Sequence, residues 1–169
     1  GVYGAPRFHK AAARAGLRAI IGAELTMRNA WIRDQGSGIG DQEPLIPDPR
    51  SPIPAWRLPV LVASQEGYRN LCRLVTRMKM RAAKGQGALA LEELEGFTTG
   101  LVALVGRPLL DARSHGVGGL LDRLVGLFGR NHVCVELQRH FLRDEEEDNA
   151  ALTALAHAFR VPVVATGGV

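Results

Sequence analysis

Five short apolar runs, separated by segments with helical spacing, constrain the fold of this chain more than any other feature of its sequence. The runs cover residues 17–25, 58–63, 101–105, 132–137 and 161–166. They lack the apolar–polar alternation of a half-exposed strand, so we expect strands that are buried on both faces. Strands of this kind, interleaved with helices, predict a parallel α/β architecture, either a doubly wound sheet or a barrel.

The segments between the runs carry helix signals. Residues 6–15 are expected to form a helix that stops at Gly16. Ser64 is a suitable N-cap for a second helix, whose apolar stripe starts at Tyr68 and has i, i+3, i+4 spacing. Further helices are predicted at 118–128 and 144–160, with a short helical turn at 91–94.

The composition changes between about residues 28 and 57. This stretch contains five prolines, four of them within 47–54, and three closely spaced glycines. So many breakers predict a long connection that is a surface loop or partly disordered. The chain as a whole, 1–169, fits a single partial domain that contains this connection. Because it starts without methionine, we expect it to be a piece of a longer protein.

The net charge, cysteine count and hydrophobicity of the chain exclude few function classes. A net charge of +4 is compatible with weak attraction to nucleic acid but does not require it. The two cysteines, Cys72 and Cys134, lie in apolar runs at no pairing spacing, which indicates free thiols and a cytoplasmic location. No apolar stretch approaches the roughly 18 residues of a membrane helix, so we expect no membrane partner.

Residues at or just beyond the ends of the apolar runs are the first candidates for a site, because functional side chains cluster at the carboxyl ends of parallel strands. Glu24 and His140 are two such residues, and a carboxylate and an imidazole both bind divalent cations. On the residues alone, the alternative is a glutamate that accepts from backbone donors and a histidine in a surface loop. The other candidates are Ser64, Arg107, Gln138, Arg139, Gly167 and Gly168.

Two charged segments have competing interpretations. A row of cations lies opposite the apolar stripe of the second helix: Arg69, Arg73, Arg77, Lys79, Arg81 and Lys84. This row is either a DNA-contact face that binds phosphates or a solvated helix face. The acidic run at 144–148 is explained by its place at a helix N-terminus, where the dipole favours negative charge, and not by metal binding.

Six stretches, in order along the whole chain, resemble the PHP (polymerase and histidinol phosphatase) domain of bacterial C-family DNA polymerases. The first is Gly1-Val2-Tyr3-Gly4, with Phe8 and Lys10 following it. The others lie within 16–24, 66–71, 100–106, 136–140 and 163–166. Each stretch is weak by itself, but their joint order and spacing are specific.

The resemblance implies a distorted (β/α)7 barrel of the TIM-like PHP type, present here as an incomplete fragment. It also implies a cluster of metal ions at the carboxyl end of the barrel, where some members hydrolyse 3′-terminal nucleotides. Glu24 matches the glutamate of the family's IGxE stretch, and His140 matches the histidine of its ELxxH stretch. These two residues are therefore the expected remnants of the metal site.

Three positions depart from the family pattern. Arg57 stands where many relatives have histidine, Arg107 where some have cysteine, and Gly168 where they have the aspartate of a TND triplet. A guanidinium about 4 Å from a dication would be repelled by roughly 8 kcal/mol at an effective dielectric near 20. Arginine does not lose its proton to avoid this. We hypothesise that Arg57 or Arg107 pairs with Glu24 and replaces the charge of the metal.

The resemblance thus implies the PHP segment of an error-prone DNA polymerase used in damage tolerance, with a scaffold role and a degenerate metal site. The alternatives are an active metal-dependent phosphoesterase or 3′–5′ exonuclease domain of a replicative polymerase III alpha subunit, and a nucleic-acid-binding module. We expect no cofactor in this segment, zinc or manganese if the metal site survives, and magnesium in the parent's polymerase domain. Expected partners are the remainder of the polymerase chain, DNA, a sliding clamp and damage-tolerance accessory proteins.

Overall fold

A computed structural model of the chain describes residues 2–28, 55–83, 87–111, 118–140 and 145–167. The strands are β1 (Gly22–Arg28), β2 (Ala55–Val62), β3 (Leu101–Val105), β4 (Val133–Leu137) and β5 (Val163–Ala165). The helices are α1 (Ala5–Arg14), α2 (Gln65–Met80), α3 (Pro108–Asp111), α4 (Gly119–Phe128) and α5 (Glu145–Phe159). Two 3-10 turns, Leu91–Leu94 and Arg130–His132, precede β3 and β4.

The five strands form one sheet in the order β1-β2-β3-β4-β5. β3, β4 and β5 are parallel, whereas β2 runs antiparallel to both of its neighbours. The α/β class is confirmed, but the prediction of an all-parallel sheet is wrong. Apolar content reports how deeply a strand is buried and carries no information about its direction, so β2 could not be distinguished from its parallel neighbours.

The first strand lies further along the chain than 17–25. Leu17 and Ile20 are exposed, and β1 instead covers Gly22–Arg28 with Leu25 and Met27 fully buried. From Glu24 onwards the buried positions alternate with accessible ones, which is the pattern of an antiparallel strand with one covered face. The apolar run was therefore a poor guide here, because five of its residues, 17–21, precede the strand.

The sheet formed by the described residues is open, with β1 and β5 at its edges. The closed (β/α)7 barrel that the resemblance implies is therefore not confirmed. The predicted proline-rich loop is shorter at both ends than expected, because Arg28 belongs to β1 and Arg57 to β2. Its remainder, at 29–54, lies outside the described residues, as does Gly168.

α2 is fixed to the sheet by its cap, its apolar stripe and one close backbone approach. The Ser64 hydroxyl accepts from the Gly67 backbone N–H at 3.1 Å, which confirms the predicted N-cap. Leu71 and Leu74 are fully buried against the sheet. A Cβ on Gly67 would lie only 1.8 Å from the Gly100 carbonyl oxygen, so the helix approaches this turn as closely as glycine permits. No helix in the described part of the chain is long and apolar enough to cross a membrane.

Candidate functional site

A cavity of about 340 Å³ opens beside the carboxyl ends of β3 and β4. Five residues that the sequence singled out line it together: Glu24, Arg57, Arg107, Gln138 and His140. They come from β1, β2 and the segments that follow β3 and β4. The structure therefore brings Arg107, Gln138 and His140 together at the edge where the strand-end rule expects them, and Glu24 and Arg57 join them from β1 and β2.

Strand direction decides which residues reach this cavity. Because β2 is antiparallel to β3, its N-terminal half, with Arg57, lies on the side of the cavity. Ser64 follows the carboxyl end of β2 and lines a different groove, beside α1. Glu24 is not a strand-end residue, since β1 continues to Arg28. The rule that selected Glu24 and Ser64 therefore failed for these two strands.

Arg57 and Glu24 form an ion pair across β1 and β2. Arg57 Nη1 donates to Glu24 Oε2 at 2.6 Å. In the register of the two strands Glu24 faces Pro59 and Thr26 faces Arg57, so the pair is a diagonal one. Both side chains are more than half exposed, at 74% and 52%. The hypothesis that an arginine pairs with Glu24 is confirmed for Arg57.

Arg107 faces a different carboxylate. Its Nη1 lies 3.2 Å from Oδ2 of Asp148, in the first turn of α5. The contact is one of charge proximity, because this buried oxygen has no hydrogen bond of acceptable geometry within the described residues. The cavity thus holds two arginine–carboxylate pairs, one on the β1–β2 side and one between Arg107 and α5.

His140 is positioned through its backbone. Its N–H donates to both carboxylate oxygens of Glu145, at 2.8 and 2.7 Å, and Glu145 is buried. The imidazole Nε2 lies 3.3 Å from Gln138 Oε1. Next to it, the Thr166 hydroxyl donates to Glu136 Oε1 at 2.5 Å, which joins β4 to the segment after β5. The cavity wall is therefore an organised polar network.

Sequence reasoning missed Glu145 and Asp148 as parts of this site. The acidic run was attributed to the helix dipole, and both residues do lie in the first turn of α5. Their i, i+3 spacing also places them on one face of the helix, close after His140. That spacing was the available signal, and the dipole argument concealed it.

The implied metal cluster does not fit the donors that are described. Within residues 2–28, 55–83, 87–111, 118–140 and 145–167, no group of three or more histidine, cysteine, aspartate or glutamate side chains is arranged to hold a metal ion. Glu24 is engaged by Arg57, and the Arg107 guanidinium lies in the same cavity. A metal ion at Glu24 would therefore have to displace the Arg57 guanidinium.

The cations on and just after α2 differ in their contacts: some are held by protein groups and others are exposed to solvent. Arg81 donates to both oxygens of Glu93, at 2.8 and 2.5 Å, and Arg77 stacks over the Phe97 ring with 4.7 Å between guanidinium carbon and ring centroid. Arg69 and Arg73 are exposed on the same helix and make no ion pair within the part of the chain that is described. Whether this row contacts DNA stays a prediction.

Comparison with known proteins gives a consistent result. The family model of the PHP domain matches residues 1–140. An error-prone DNA polymerase of Mycolicibacterium paratuberculosis is 34% identical over 177 positions, covering 99% of this chain and 15% of the relative. Error-prone DNA polymerases of Nocardia farcinica and Cutibacterium acnes are 30% and 31% identical, over 99% and 98% of this chain and 18% and 14% of the relatives. The chain thus spans less than a fifth of the length of these relatives.

Proposed function

This chain belongs to the PHP domain family, and from that premise we propose that it is the PHP segment of an error-prone DNA polymerase, a scaffold without metal catalysis. The observation that carries the proposal is the contact between Arg57 and Glu24, at 2.6 Å in the cavity that also contains His140, the other residue that resembles a metal ligand of the family. The charge of Glu24 is compensated by a guanidinium that cannot be deprotonated, so no bound cation is needed to balance it.

The second arginine adds to this argument. Arg107 lies 3.2 Å from Asp148 in the same cavity. A dication placed between the two pairs would be repelled by both guanidinium groups as well as attracted by both carboxylates, so the two ion pairs together offer it no net negative charge. The two arginines therefore cancel the attraction that Glu24 and Asp148 would otherwise exert on a metal ion.

The wider role follows from the relatives. We propose that further strands of the longer chain complete a (β/α)7 barrel, and that the remainder carries out DNA-directed DNA synthesis with magnesium in its own polymerase domain. Damage tolerance and repair, a cytoplasmic location, and contacts with a sliding clamp and accessory proteins belong to the same proposal. Its support is the 34% identity to an error-prone DNA polymerase over 99% of this chain.

Metal analysis of the intact protein tests the scaffold role. We expect no stoichiometric zinc or manganese after purification, and no release of 3′-terminal nucleotides in a manganese-containing nuclease assay. Stoichiometric metal, or nuclease activity that chelators abolish, would contradict the proposal.

A gain-of-function pair sharpens this test. Arg57→His together with Arg107→Cys introduces the residue types that the family resemblance implies at these positions. If the arginines are what excludes the metal, the double variant should take up zinc or manganese that the parent protein does not. Arg123→His is the matched control, because Arg123 is ion-paired with Glu92 outside the cavity and the substitution should add no metal.

An active phosphoesterase or 3′–5′ exonuclease is the second candidate. The observation in its favour is that the carboxylates of Glu136, Glu145 and Asp148 line the same cavity as His140. Such an enzyme needs further ligands from the longer chain. The same metal and nuclease measurements on the unsubstituted protein separate the two candidates, because only the enzyme binds metal with both arginines present.

A further inference from the structure

No further inference is drawn: the strongest candidate, the largely apolar groove of about 420 Å³ between α1 and α2, carries none because nothing in the structure shows what covers it.

Discussion

Two arginine–glutamate pairs in this protein differ in almost everything except their residue types. Arg81 and Glu93 join α2 to the 3-10 turn Leu91–Leu94 through two parallel hydrogen bonds, and their side chains are only 26% and 25% exposed. Arg57 and Glu24 share one hydrogen bond at the cavity, with exposures of 74% and 52%. The first pair, which we call the framework pair, fixes α2 to a neighbouring turn. The second pair lies at the surface of the cavity.

The additional partners of Glu93 explain the difference. Its Oε2 also accepts from the Ala90 backbone N–H at 2.8 Å, so one carboxylate caps the turn and holds Arg81 at the same time. The Arg81 hydrogen bonds, reinforced by this backbone donor, lower the pKa of Glu93 to about 2. Glu24 has no such second donor among the described hydrogen bonds. An arginine can therefore be exchanged at the cavity with little consequence for the fold, whereas the framework pair is fixed by its geometry.

The largest expected effect on stability tests whether α2 and the turns packed against it form a rigid framework. Gly67→Ala would place a Cβ 1.8 Å from the Gly100 carbonyl oxygen, and neither atom can rotate away, because the oxygen belongs to the backbone and the backbone fixes the position of the Cβ. We expect the free energy of unfolding to fall by about 3 kcal/mol or more, measured by urea unfolding of the chain. Gly126→Ala in α4 is the control, since no atom lies within 4 Å of its new Cβ. It should stabilise the protein by about 0.5–1 kcal/mol. Equal effects at both positions would contradict the rigid framework.

The next effect concerns the framework pair itself. Glu93→Gln keeps the shape of the side chain but removes its charge, and we expect a loss of about 2 kcal/mol at pH 7. Because folding lowers the pKa of Glu93 from 4.5 to about 2, its contribution is complete above pH 4.5 and disappears as the pH falls towards 2. The difference between variant and parent should therefore shrink when urea unfolding is repeated at pH 3. A difference that does not change with pH would mean that the ion pair is not its source.

The sequence predicted the elements of the framework better than their arrangement. Ser64 and the apolar stripe of α2 follow local rules of capping and periodicity, and both were located correctly. Strand direction depends on how the connections cross the sheet, which no local pattern encodes. Leu17 and Ile20 are apolar but exposed, so the rule that apolar runs are buried failed where the described fold provides no covering element.

Only part of the candidate site was predicted from the sequence, and different arguments identified its different residues. Arg107 and His140 follow parallel strands and were found by the strand-end rule. Arg57 was found only through its departure from the family pattern, because its strand is antiparallel. Asp148 was overlooked because the acidic run was attributed to the helix dipole, and its contact with Arg107, 41 positions away in the chain, could not be anticipated. Pairings of this kind depend on tertiary geometry, which residue spacing alone does not determine.

The smallest expected effect is at the cavity, and it decides whether the comparison holds. Arg57→Gln, Glu24→Gln and the double variant form a double-mutant cycle, and for an exposed pair we expect a coupling energy of about 0.2–1 kcal/mol in urea unfolding. High salt should reduce this coupling further, because both side chains are accessible to solvent. A coupling above about 2 kcal/mol would place this pair in the same class as the framework pair. Arg57 would then be required for the fold, and its presence could no longer be explained as a replacement for a metal ion.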